Sequence, residues 1–232
     1  MGYVLGIDTS SVELGIGLVN AGKPVMGISR YFRNSHAEHI SQAIEFLLST
    51  NNISMSDISH AGIAVGPGSF TGLRIGIAFL KGFFFGHPVK MLPVSSLESM
   101  AASWHCKNRS VVCASDARNN EVFWARFAND NGAVTRVSED LLSSIDSFAS
   151  SLNPQDIVLT DTLGHEKSTV FDFIKNRPDA YSVELHGLQR GLSCALIASR
   201  RPNTDEAWRL TQEIVPNYLN RSWAEKKHQI PL

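Results

Sequence analysis

Cysteine is scarce in this 232-residue chain. Cys106, Cys113 and Cys194 are the three present, and no two form a CxxC pair. That spacing excludes the common zinc and thioredoxin chemistries. A sparse, odd count fits a reducing compartment rather than a disulfide-stapled fold. Charge of one sign is not in excess either: 21 Lys and Arg stand against 22 Asp and Glu, and the balance holds on both sides of residue 104. Phosphate affinity comes from clustered Lys and Arg, so the chain is not equipped to hold nucleic acid unaided. Long apolar runs are missing. The greasiest stretch, Ile75–Gly86, is interrupted by Lys81 and falls short of the ~20 residues a membrane helix needs. The opening residues, MGYVLGIDTSS, lack a basic segment and reach an aspartate at position 8, so they read as a strand rather than a signal peptide. These absences predict a cytoplasmic protein with no membrane association.

What is present suffices for a core. Apolar residues make up 43% of the chain and charged ones 19%, ordinary values for a globular protein that needs no metal or disulfide staple. Tyr3–Ile7 reads as a strand, residues 8–11 (DTSS) as a polar turn, and the alternation of Leu14, Ile16 and Leu18 with glycines as a second strand. A hairpin turn at 20–23 returns a third strand over Val25–Phe32. Ser35 and Glu38 form a capping box for a helix over 37–50. Strands follow at Ala61–Val65 and Val89–Leu92, then a helix over Leu97–Trp104 capped by Ser95 or Ser96. Residues 105–110 form a polar break. The second half then opens as the first did: a strand at Val111–Ser115, an acidic turn at Asp116, and a returning strand at Glu121–Phe127. Helical character in the 140s, a strand at Ile157–Thr160, a short helix at Thr169–Lys175 and a helix at Leu192–Arg200 complete the reading. Two halves that each begin strand, acidic turn, strand suggest a duplicated α/β fold.

One block stands out, GIAVGPGSFTGLRIGIAFLKGFFFG at Gly62–Gly86. A strand breaks at Gly66-Pro67-Gly68 and resumes as a helix over 71–86, with Ser69 and Thr71 as cap candidates. Free N–H groups and the positive dipole end at such a turn can bind an anion. The block lacks the GK[ST] of a P-loop and the spacing of a dinucleotide fingerprint, so a plain strand-to-helix connection competes with the anion site. A nucleophile elbow is also excluded, because Pro67 and Thr71 occupy its glycine positions. The helix itself has two apolar stripes. Leu73, Ile77, Leu80 and Phe84 form one; Ile75, Phe79, Gly82, Phe83 and Gly86 form the other; Arg74 and Lys81 make a narrow polar strip. One stripe must meet the sheet, and the other a second helix of this chain or a partner.

Candidate chemistry is thin. His36 and His39 are three apart, but two ligands without a third do not make a metal site. Asp8 and Asp116 both lie in polar turns after a strand. Such carboxylates can hold a metal ion beside phosphates, or can cap their own turns.

The runs GIDTSSVELGIGLV, AVGPGSFTGLRIGIAFLKG, PVSSLESMA and ASDARNNEVFWARF, with Pro216-Asn217-Tyr218-Leu219 near the end, resemble the bacterial TsaB family, also called YeaZ. The likeness is strong over residues 1–127, and the GPGSFTGLRIG block is specific. The resemblance implies an α/β fold of the actin/Hsp70/sugar-kinase-like (ASKHA) class with two pseudo-duplicated subdomains. It implies a part in making N6-threonylcarbamoyladenosine at position 37 of tRNAs that read ANN codons. It further implies a non-catalytic partner of TsaD, the transferase subunit, with TsaE as the ATPase reached through the complex. The metal histidines of TsaD-like proteins match Ser96 and Met100 here, which cannot replace two imidazoles.

The expectations are therefore these. Residues 1–104 form one subdomain and 105–232 the other, with the final segment returning to the first. The partner surface is built from helices 37–50 and 71–86, with Ile40, Ala43, Ile44, Leu47, Leu73, Ile77, Leu80 and Phe84 as anchors. A vestigial anion site comprises Asp8, Thr9, Ser10, Gly66, Gly68, Ser69 and Thr71. No catalytic residue, metal or cofactor is expected. The chain dimerises with itself when TsaD is absent and meets tRNA only through the complex. The alternative is a small ASKHA-type ATPase or kinase acting through Asp8 and Asp116.

Overall fold

Each of the first four strands carries a glycine near its middle, and these glycines line up. In the computed structural model, which describes residues 2–31, 36–131, 133–161, 181–184, 189–202 and 206–219, β1 (Tyr3–Asp8), β2 (Glu13–Asn20), β3 (Lys23–Tyr31) and β4 (Ile58–Gly66) lie side by side. Gly27 stands opposite Gly17, Gly17 opposite Gly6, and Gly6 opposite Gly62. Residues directly opposite share one face of a sheet, so the row is a bare track across four strands. A helix from the second half of the chain, α5 (Arg190–Arg200), lies on it. A Cβ on Gly6 would come 2.1 Å from Gly191 O, on Gly17 2.2 Å from Leu192 Cα, and on Gly62 2.3 Å from Cys194 O. Backbone meets backbone here, which no side chain at these positions would allow.

The opposite face of the same sheet is covered by α1 (His36–Thr50) and α2 (Phe70–Phe83). Their Ile40, Ile44, Leu47, Ile77, Leu80 and Phe84 join Leu5, Ile7, Leu14, Ile16 and Leu18 in one buried cluster. The sheet is completed by β5 (Lys90–Ser95), parallel to β4, and by the two-residue β12 (Arg209–Leu210) on its edge. Its order is β12-β5-β4-β1-β2-β3.

The second sheet repeats the plan. Antiparallel β6 (Arg109–Arg118), β7 (Glu121–Asp130) and β8 (Ala133–Arg136) form a meander, and β10 (Ile157–Asp161) and β11 (Tyr181–Glu184) add in parallel on the β6 side. Its order, β11-β10-β6-β7-β8, maps strand for strand onto β5-β4-β1-β2-β3, with β9 (Leu141–Ser144) as an extra partner of β7. The two sheets thus share one duplicated α/β plan. One face of the second sheet holds α3 (Ser96–Ser103) through Leu97, Met100 and Ala101, and the other holds α4 (Ile145–Ser151) through Phe148. Since α3 also packs on α5, it is the hinge piece between the lobes.

Boundaries differ from the expectations in instructive places. The long helix begins at Phe70, capped by the Ser69 hydroxyl, and stops at Phe83 rather than Gly86. Gly86 takes a left-handed φ of 78°, which ends the helical path before Pro88 is reached. The 140s open as a strand before turning helical. The helix expected at 169–175 and the cap at Ser35 lie outside the described residues. The first lobe also takes more of the chain than 1–104. It includes α5, while residues 206–219, part of the segment expected to return to this lobe, form a strap that runs from the β5 edge back over α2.

Trp208 anchors that strap against His60, with ring centroids 4.9 Å apart, and its indole N–H donates to Pro202 O at 2.9 Å. Burial, aided by Lys90, holds the His60 pKa below its ordinary 6.5. Below pH 6.5 the unfolded chain then binds a proton that the folded chain resists, so stability is full above that value and falls as pH drops. Urea denaturation from pH 7.5 to 5 should show this loss in the parent and a shallower loss in His60→Gln. Gly17→Ala should cost at least about 1–3 kcal/mol in the same assay, because the added methyl must push α5 off the sheet.

Candidate functional site

Two places inherit the sequence-level candidates, the cleft at the acidic turn and the outer face of α1 and α2. In the cleft, β1 ends at Asp8, which is 1% exposed. Its Oδ1 accepts from the Ser10 N–H at 2.8 Å and from the Ser10 hydroxyl at 2.5 Å. Its Oδ2 accepts from the Ser99 hydroxyl of α3 at 2.9 Å. The Thr9 hydroxyl donates to Gly72 O, 2.8 Å away on α2. The Ser69 N–H donates to Ser10 O at 2.7 Å. The Ser69 hydroxyl accepts from the Gly72 N–H at 3.2 Å.

The acidic turn thus lies directly on the start of α2. Glycine makes that possible. A Cβ on Gly68 would stand 2.4 Å from Ser10 O, on Gly72 2.1 Å from Thr9 O, and on Gly76 2.3 Å from the Thr9 hydroxyl. Of the seven candidate anion-site residues, the structure brings Asp8, Thr9, Ser10, Gly68 and Ser69 into one interlocked unit. Gly66, at φ 120°, instead meets Asn217 of the strap, whose N–H donates to Val65 O at 2.7 Å. Thr71 is exposed on the helix. The Ser69 N–H, the Thr9 hydroxyl and the Ser10 N–H and hydroxyl are engaged with the chain itself, so the arrangement acts as a joint. Asp116 does the same at smaller scale: its Oδ1 accepts from the Arg118 N–H at 2.6 Å and closes the β6–β7 hairpin.

Ser96 and Met100 face the interior, 2% and 0% exposed. The Ser96 hydroxyl has no hydrogen-bond partner among the described residues. Groups of three His, Cys, Asp or Glu able to share a metal ion do not occur among the described residues. His39 lies on α1, and the side chain of His36 falls outside the described residues.

On the helical face the structure assigns the two stripes. Ile40, Ile44, Leu47, Leu73, Ile77, Leu80 and Phe84 are all within the chain's own core, none more than 5% exposed, and Ala43 is partly buried. These expected anchors are therefore packing residues of the monomer, because theirs is the stripe that meets the sheet. The outward stripe is the other one. Ile75, Phe79 and Phe83 are half-buried, Gly82 is exposed, and Phe46 of α1 is 55% exposed. Phe79 and Phe83 stack at 5.8 Å, and Phe83 meets Phe84 edge-on at 4.9 Å. Between α1, Ile53 and Phe83 runs a groove of about 410 Å³, floored by Ile44 and Leu48 and rimmed by Ser41, Glu45 and Ser49. Phe46, an aromatic on the polar side of α1, lies well round the helix from the groove residues Ser41, Ile44, Glu45 and Leu48 and is not part of this face.

The polar strip of α2 also has an occupant. Lys81 Nζ donates to Gln212 O at 3.0 Å, and Arg74 Nε donates to the Tyr218 hydroxyl at 2.8 Å. The Arg74 guanidinium lies 3.8 Å from the Phe70 ring centroid, and Phe70 stacks on Tyr218 at 4.5 Å. α2 is thus held on the sheet side and on the strap side, and its remaining face is apolar and open.

Comparison with known proteins gives a consistent picture. A family model described as "TsaD: tRNA N6-adenosine threonylcarbamoyltransferase" matches residues 30–222. A relative from Escherichia coli (strain K12), named tRNA threonylcarbamoyladenosine biosynthesis protein TsaB, is 34% identical over 136 residues, 56% of this chain and 57% of its own length. A relative of the same name from Bacillus subtilis (strain 168) is 26% identical over 97% of this chain and 96% of its own length. The crystal structure of YeaZ from Pseudomonas aeruginosa superposes with a TM-score of 0.76 at 24% identity, over 94% of this chain and 100% of that one, which shows the same fold.

The cleft geometry makes Asp8 a structural carboxylate, and that is measurable. Asp8→Ala strands the Ser10 N–H and hydroxyl in a buried place, while the Ser99 hydroxyl keeps Ser96 O at 2.9 Å, and should cost about 2–3 kcal/mol of unfolding free energy in urea. Asp8→Asn keeps an acceptor for Ser10 and can donate to the Ser99 oxygen, so it should cost clearly less.

Proposed function

The chain belongs to the family of the tRNA N6-adenosine threonylcarbamoyltransferase model, in its TsaB (YeaZ) branch, and from that premise we propose that it is a non-catalytic subunit of the machinery that makes N6-threonylcarbamoyladenosine at position 37 of ANN-decoding tRNAs. Its task is to bind the TsaD transferase subunit and support its activity. TsaE joins through the assembled complex, and tRNA is held by the assembly, in keeping with the near-zero net charge of −1.

The observation that carries this reading is the open face of α2. Ile75, Phe79 and Phe83 form an apolar surface beside a groove, while polar groups at the acidic turn are engaged with each other. Aromatic side chains at the centre of a patch are the usual energetic anchors of an interface. Gly82 adds a second point. A glycine inside a helix costs roughly 1 kcal/mol relative to alanine, and a Cβ there would meet nothing within 4 Å. The chain's own packing has no use for it, in contrast to Gly72 and Gly76. A helix from another subunit crossing at Gly82 would use the missing side chain for close approach. Alone, the chain covers the same face by association with a second copy.

Gly82→Arg tests the docking without touching the fold. The variant should keep or raise its melting temperature, since the position is open and arginine is a good helix former. In size-exclusion chromatography with the TsaD subunit of the same organism, it should elute alone where the parent co-elutes. An intact complex with the variant would rule this face out. ATP turnover by the purified parent chain, lost in Asp8→Asn, would overturn the non-catalytic reading in favour of an ASKHA-type ATPase.

A further inference from the structure

The docking face has a charge pattern as well as a shape. α1 carries two acids, Glu38 and Glu45, both exposed, and its sequence HAEHISQAIEFLLST contains no Lys or Arg. α2 contains no acid, and its two cations, Arg74 and Lys81, are turned onto the strap, where Tyr218 and the Gln212 carbonyl hold them. The ionic charge that the two helices offer on their open side is therefore of one sign. Glu45 sits at the rim of the apolar groove, one helical turn from Ser41 and from Ser49. Among the described residues no ion pair reaches it.

A second copy docking by this face would meet it with the same face, because a two-fold contact is self-complementary. It would bring acids toward acids and supply no cation, a juxtaposition that interfaces are built to avoid. We infer that the groove is built for a different chain: an amphipathic helix that places an aliphatic or aromatic side chain on Ile44, Leu48 and Phe83 and a Lys or Arg about one turn away against Glu45. Glu45 is the specificity-determining residue that favours this heteromer over self-association. Shape alone would serve either occupant, since the floor is apolar; the acid at the rim separates them. The inference rests on the docking reading above and adds to it the chemistry of the partner helix and the residue that selects it.

The test uses the full-length chain, its Glu45→Gln variant, and the TsaD subunit of the same organism. Affinity is read by calorimetry at 50 and 300 mM salt, and self-association by sedimentation velocity. Glu45 is exposed, so the variant folds as the parent does. The expected result is a heteromer weakened about three- to tenfold at low salt, with most of its salt dependence gone, and self-association equal to or tighter than that of the parent. Equal heteromer affinity and salt dependence in parent and variant would overturn the inference, as would a parallel loss of self-association. If Gly82→Arg abolishes the complex while Glu45→Gln leaves it unchanged, the docking face stands and the selection by charge falls. If the parent forms no complex at all, both fall.

Discussion

The contact between α5 and the glycines Gly17, Gly6 and Gly62 is the constraint on which the rest of the molecule depends. It joins a helix from late in the chain to the sheet made by the earliest strands, at a separation only backbone can reach. Because α5 lies so low, α3 can rest on α5 and on the second sheet at once. α3 in turn brings Ser99 within hydrogen-bond reach of Asp8. Raising α5 by one methyl thickness would disturb the sheet packing, the relation of the lobes and the cleft together.

The meeting of the acidic turn with the glycine turn shows how groups suited to holding a ligand can be given structural work. An acidic turn after the first strand and a glycine turn before a helix are still present, and they still converge. They converge too closely, however. Ser10 O takes the Ser69 N–H, Gly72 O takes the Thr9 hydroxyl, and Asp8 takes three donors. An anion entering there would have to replace hydrogen bonds already made and desolvated, at a net loss for each donor left without a partner. The same groups that would cradle a ligand now fix the first turn of α2 relative to β1, and so fix the surface that α2 presents.

Much of this architecture was legible in the sequence. The two acidic-turn meanders announced the duplication, and the glycine turn announced the start of α2. Periodicity also found both stripes of that helix, but it could not say which one met the sheet. Leu73, Ile77, Leu80 and Phe84 are larger on average than their counterparts, and bulk is what a core needs, so the core takes them. The smaller, glycine-containing stripe was left outside, where close approach by another backbone is an advantage. The glycine row was hidden for a different reason. Each glycine looks local in its own strand, and only the strand register reveals that four of them stand abreast. The strap is half visible in the sequence, through Pro216-Asn217-Tyr218-Leu219, but its pairing with Arg74 across 144 residues has no local signature.

The strap explains why α2 can expose an apolar face without collapsing onto it. A helix held only by its core stripe could rotate to bury Phe79 and Phe83 more deeply. Arg74 and Lys81 prevent this, because each is tied by a hydrogen bond to a segment that is itself pinned to the β5 edge by β12, by the Thr211 hydroxyl on Val89 O, and by buried Ile214. Thr9 against Gly76 fixes the other side. Rotation is thus blocked from two directions, and the half-buried aromatics remain at the surface as a preorganised patch. A preformed patch loses little conformational freedom on docking, which leaves more of its contact energy for affinity. The two cations that hold the strap are also removed from the open face by the same bonds, so one set of contacts fixes both the shape and the charge of the surface that α2 presents.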